Sequence, residues 1–244
     1  MPERHDVWSI IQDHLNGNLL FAGTEFGLFV SVDGGAQWVK MRGGMPTIQV
    51  RDITVQKREN DLVLATFGRG FYILDDYSAL RDLTPQALAE EGRLYPLRDA
   101  YLYTPLGMAP DGTAGIASLS GNTTMPNPPT GATFTYSVGQ ALGDAKLVLT
   151  IVDEANRQVR RIELDKTPGL RRITWNLRGE TAAGNQGGGR GAAPATPQAF
   201  GGRGGNQGPL ATPGRYTATL GKQVGETVTA IGAPQSFRVT QVPQ

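Results

Sequence analysis

Six acids lie in or beside the stretches that read as strands in the first third of the chain: Glu25, Asp33, Asp52, Asp61, Asp75 and Asp76. Hydrolysis of a glycosidic bond takes two carboxylates about 5 to 10 Å apart, one to donate a proton and one to attack or to activate water. Asp33, Asp75 and Asp76 fall in turns, where Asp commonly accepts backbone N–H bonds. Glu25 follows a strand on a loop and is the acid to place on a ligand face; its plainer reading is a solvated loop acid. Arg69, between Gly68 and Gly70, puts a guanidinium on the corresponding loop of a second unit. It could meet a carboxylate or a sugar hydroxyl, or simply be an exposed turn residue. His5 and His14 lack metal-ligand spacing, and neither a Ser/His/Asp arrangement nor a phosphate loop is visible. With no cysteine, disulfides, thiolate catalysis and Cys-ligated metals are excluded. No catalytic residue, metal or cofactor is assigned.

These residues hang on short strands. Ser31-Val32-Asp33-Gly34-Gly35-Ala36-Gln37-Trp38 fits S-x-D-x-G-x-x-W, the Asp-box hairpin of certain β-propellers. Asp33 can accept N–H groups of its own turn, Gly34 and Gly35 supply positive φ, and Trp38 returns as an apolar anchor. Ser31, Asp33, Gly35 and Trp38 are thus structural residues; any Asp-Gly hairpin followed by Trp would look similar. Leu19–Gly23 resembles Leu62–Thr66, and Phe26–Asp33 resembles Arg69–Asp75 with a one-residue offset. The spacing of about 42 residues is that of a four-stranded propeller blade. Lead strands are expected at Val7–Ile11 and Val50–Val55, and third strands at Leu28–Val32 and Phe71–Leu74. Two blades leave sheet faces uncovered, since propellers close with about four to eight. Residues 1–104 therefore read as a partial propeller whose partners are upstream blades of the same protein.

A short helix is expected over residues 85–91, with Thr84 as N-cap and Pro85 at the first helical position. Leu94–Tyr103 reads as a return strand along the last blade. Residues 105–130, rich in Gly, Pro, Thr and Asn, read as a linker. Alternation then resumes at Phe134, Tyr136 and Val138, at Leu147, Leu149 and Ile151, and onward to Phe237–Val239. About seven short strands over residues 131–244 suit an Ig-like β-sandwich without its Cys pair. Residues 182–212 carry only Arg190 and Arg203 as charges and read as a disordered Gly-rich insert. Two arginines among glycines give little phosphate attraction, so no nucleic acid partner is expected. The fold class is all-β: two terminal propeller blades, then the sandwich.

At net charge +1 the 244 residues give no bulk electrostatic pull toward nucleic acid or anionic membrane. No apolar run approaches a membrane span. Met1–Asp6 has no apolar core, so no signal peptide is expected in this chain.

Three stretches carry a resemblance: Gly23–Gly35, Gly44-Met45-Pro46-Thr47 and Asp61–Asp76. They are similar to the closing blades of bacterial sortilin-like, BNR-repeat (Asp-box) propeller proteins, which are often labelled glycosyl hydrolases by similarity to xyloglucanases and sialidases. Pro168–Arg178 and Pro213–Thr217 resemble the flagellar-hook-cap (FlgD-like) Ig domain that ends such chains. The second unit departs from the pattern, because no Ser-x-Asp-x-Gly follows Ile73. The resemblance implies a secreted or periplasmic protein, a structural role for Asp33, and any catalytic carboxylates on other blades. Two functions stay open. One is a non-catalytic module binding glycan or protein; the other is part of a glycoside hydrolase.

Overall fold

The computed structural model describes residues 5–102, 130–140, 142–180 and 208–241. The protein is all-β apart from a 3-10 turn at Ser78–Asp82 and the helix α1 (Pro85–Ala89). It divides into two compact units, Met1–Glu90 and Glu91–Gln244.

The first unit is built from two antiparallel meanders. One runs in the order β1 (Val7–Gln12), β2 (Leu20–Thr24), β3 (Gly27–Ser31), β4 (Val39–Lys40). The other is β5 (Val50–Gln56), β6 (Asp61–Thr66), β7 (Phe71–Leu74). The runs Leu20–Thr24 and Gly27–Ser31 are apolar or small throughout, and both strands are buried on both faces. The meanders pack through β1 and β2 against β5. They come so close that a Cβ on Gly23 would stand 2.7 Å from the Val50 carbonyl oxygen and 2.9 Å from its Cγ1.

Hydrogen bonds fix the repeat independently of side-chain similarity. Val7 pairs with Thr24, the register shifts, and Ser9 pairs with Gly23. Val50 pairs with Thr66, the register shifts, and Asp52 pairs with Ala65. The hydroxyl of Thr24 donates to Gly27 O at 3.0 Å, and that of Thr66 to Gly70 O at 2.8 Å. Glu25 N–H bonds to Asp6 O, as Phe67 N–H bonds to Gln49 O. The registers correct the sequence match: Leu20–Thr24, not Leu19–Gly23, is the equivalent of Leu62–Thr66, and the one-residue difference lies not near Asp33 but in the turns, Glu25-Phe26 against Phe67-Gly68-Arg69. Among the described residues the second meander has no counterpart of β4. The chain instead turns at Asp76, at φ 44°, into Ser78–Asp82. Helix α1 is shorter than expected, with Ala87 N–H on the Thr84 hydroxyl.

The second unit has two sheets around one core. One is β13 (Gly169–Trp175), β10 (Ala132–Val138), β8 (Arg93–Leu94). The other is β12 (Gln158–Leu164), β11 (Lys146–Asp153), β14 (Gly214–Val224), β15 (Thr227–Gln241), β9 (Ala100–Leu102). Phe134 and Trp175 of the first sheet pack with Leu147, Leu149, Ile151, Tyr216, Leu220 and Phe237 of the second. Trp175, Tyr216 and Phe237 form an aromatic cluster, with ring centroids 5.6 to 6.3 Å apart. The Tyr216 hydroxyl donates to Thr212 O at 2.7 Å, closing the entry to β14.

Three expectations change. Residues 93–102 do not lie along a blade: β8 pairs antiparallel with β10, and β9 pairs parallel with β15. Leu94, Tyr95 and Ala100 are buried, so apolar burial draws this stretch into the second unit, which starts at Glu91 rather than 131. Val228 and Phe237–Val239 are one long strand, β15, not separate short ones. Of the expected linker, 105–129 lies outside the described residues, as does 182–207 of the expected insert. Its last residues are ordered: Pro209 O accepts from Gly179 N–H, and Ala211 N–H donates to Leu177 O.

Candidate functional site

Because β3 begins at the Glu25-Phe26 turn and ends at Ser31, the ligand-face candidates and the Asp-box sit at opposite ends of a strand, roughly 14 Å apart. At the first end, Glu25 is half-buried on the β2–β3 turn and Arg69 is exposed on the equivalent β6–β7 turn. The repeat thus brings both to the same end of their meanders.

The same end holds a group that the sequence did not single out. Trp8 and Arg51 occupy the two register shifts, one in each lead strand. A register shift re-aims its side chain. The Arg51 guanidinium lies 3.8 Å from the Trp8 ring centroid and 5.2 Å from that of Phe67. Trp8 is 43% exposed and Phe67 65% exposed. Nearby, Asp52 accepts from Ile53 N–H at 2.9 Å and lies 3.5 Å from the Ser9 hydroxyl. Signals were present, an exposed Trp one residue into a strand and its equivalent Arg, but only the register shows that they meet.

At the opposite end, Ser31 is buried and its hydroxyl accepts from Gly35 N–H at 2.8 Å while donating to Asp33 Oδ1 at 2.7 Å. Asp33 Oδ1 also accepts from Gln37 N–H at 2.9 Å. The Gln37 amide and the Ser31 hydroxyl hold the Asp33 carboxyl below the usual carboxylate range. Gly34 and Gly35 adopt φ of 73° and 98°, and Trp38 lies beside Gly35. Every oxygen contact here closes a turn.

The most strongly perturbed acid is Asp13, absent from the six acids considered above. Its side chain is fully buried. Arg81 grips it with two bonds, Nε to Oδ2 at 2.9 Å and Nη2 to Oδ1 at 2.8 Å. The Tyr77 hydroxyl donates to Oδ1 at 2.6 Å, and Leu15 and Asn16 N–H groups donate to Oδ2 at 3.0 and 2.7 Å. Arg81 Nη2 also reaches Asn60 Oδ1, and Asn16 Nδ2 reaches Arg81 O. Burial alone would raise the Asp13 carboxyl; the bonds from Arg81, Tyr77 and the two backbone amides outweigh it and hold it far below the usual range. Burial and the Asp13 charge push the Tyr77 phenol up. This is a staple joining the β1–β2 turn, the β5–β6 turn and the segment after β7. Its carboxylate has no lone pair left for substrate.

Among the described residues no three His, Asp or Glu side chains are grouped to hold a metal ion, and no helix is long and apolar enough to cross a membrane. No family model matches the chain, and no curated protein matches it. Solved structures that are similar include two of the extracellular domain of BT4673 from B. thetaiotaomicron, described once as a one component system and once as a hybrid two component system. Identity is 14% and 13% over 98% and 99% of this chain, covering 25% and 26% of those chains, with a TM-score of 0.24 for each. The chain spans about a quarter of the length of the chains it matches.

Proposed function

We propose that the chain is the C-terminal portion of a secreted or periplasmic BNR-type propeller protein, in which it serves as a non-catalytic module that binds glycan or protein. Residues 5–90 supply two blades, with further blades upstream as their partners. Residues 91–241 supply an Ig-like sandwich of the FlgD-like kind. The register-matched repeat supports the blades. The Tyr216 hydroxyl bonded to the backbone four residues back resembles the tyrosine corner of Ig-like sandwiches and supports the second assignment.

The observation that carries the non-catalytic reading is the fate of the acids. Asp13 and Asp33 are both used up in internal bonds. Glu25 and Arg69 stand at the other end as groups that can line a binding face. The purified chain is expected to leave xyloglucan, mixed-linkage glucans and sialosides uncleaved in a reducing-end assay. Turnover above background that disappears in Glu25→Gln would overturn this reading and favour part of a glycoside hydrolase.

A further inference from the structure

We propose that Trp8, Arg51 and Phe67 form a binding platform for a neutral glycan. This rests on the binding-module reading and names its site and ligand class. The Arg51 guanidinium carbon lies over two aromatic rings, 3.8 Å from the Trp8 centroid and 5.2 Å from that of Phe67. Contact with the rings restrains the guanidinium and leaves the N–H donors at its edges unengaged by the rings. No described residue accepts from those donors or from the Trp8 indole N–H, and no described acid forms an ion pair with Arg51 or Arg69. The rings remain 43% and 65% exposed, so large apolar surface borders unspent donors.

A pyranose presents this combination in reverse. Its C–H faces cover aromatic surface, its vicinal hydroxyls accept from a forked donor, and each hydroxyl has a proton to give to a carboxylate. Asp6, Glu25 and Asp52 supply acceptors at this end. The guanidiniums of Arg51 and Arg69, with Lys40, whose side chain lies beside Gly27, make three cations that balance those three carboxylates, so an anion gains no net attraction and a neutral sugar loses none. A peptide is less well served. A peptide strand would pair instead with the outer edge of β7, which no described strand covers; the platform itself offers ring faces and forked donors, not a main-chain ladder.

The test is calorimetric titration of the whole chain with neutral mixed-linkage glucan oligosaccharides and, in parallel, with galacturonic acid oligomers of equal length. Saturable binding of the neutral series is expected. Trp8→Ala and Arg51→Gln should each weaken it about tenfold, the loss of one stacked or forked contact. Asp33→Asn, at the far end, should leave it unchanged. All three positions are at least partly exposed, and matching thermal melts show that a variant is folded. Neutral binding untouched by Trp8→Ala and Arg51→Gln, tighter binding of the acidic series, or no binding by the unaltered chain would overturn the platform. Cleavage of the oligosaccharide, read separately by chromatography, would overturn the non-catalytic reading instead, while the response of affinity to Trp8 and Arg51 would still decide the platform.

Discussion

At the scale of single residues, the first unit spends its strongest electrostatics on Asp13. Removing one partner of a buried, hydrogen-bonded ion pair leaves the other charge uncompensated. Asp13→Asn should therefore destabilise the first unit by about 3–5 kcal/mol, the usual range for breaking such a pair. The sign of the pH effect follows from the depressed carboxyl. The folded state keeps Asp13 ionised where the unfolded chain would protonate it, so the stabilisation is complete above the ordinary carboxylate range. It drains away as pH falls below about 4. Chemical denaturation at stepped pH should show the gap between the native chain and Asp13→Asn narrowing on acidification. A constant gap would mean that packing, not charge, sets the cost.

At the scale of elements, the close approach of β2 and β5 makes Gly23 a spacer. A methyl group there meets the Val50 backbone, which cannot rotate away as a side-chain tip can. Gly23→Ala should force the meanders apart and lower stability by about 1–3 kcal/mol, the common cost of overpacking, as a lower denaturation midpoint. An unchanged midpoint would show that the sheets slide freely.

Which elements the sequence disclosed follows from the range of their bonds. The Asp-box was legible because Ser31, Asp33, Gly35 and Gln37 bond within six positions of one another. The meander strands were legible because each pairs with its neighbour in the chain. The Asp13 staple was not, since Tyr77 and Arg81 lie 64 and 68 residues away. Neither were the short β8 and β9. Their partners are set by tertiary pairing, and runs of two or three residues show no period. Phe67 and Trp8 are illegible in the sequence for a related reason: an exposed aromatic carries meaning only once its neighbour across the sheet gap is known.

At the scale of the molecule, the second unit encloses a core of its own, including Leu94 and Ala100. A fragment of residues 91–244 should fold alone and melt in one cooperative step. A fragment of residues 131–244 lacks β8 and β9 and loses Leu94, Tyr95 and Ala100. Fully burying one large apolar side chain contributes about 1.5–3 kcal/mol, so the shorter fragment should melt well below the longer one or aggregate. Equal melting temperatures by differential scanning calorimetry would show that β8 and β9 add nothing.

The parallel pairing of β9 with the end of β15 also bears on how such a protein could be recombined. The Pro- and Gly-rich stretch after residue 102 looks like the natural seam for shuffling modules, yet it joins two parts of one sandwich. A chimera spliced there would carry β8 and β9 from one parent and the rest of the sandwich from the other. The interchangeable cassette begins at Glu91, and a graft that respects it moves every strand of the sandwich together.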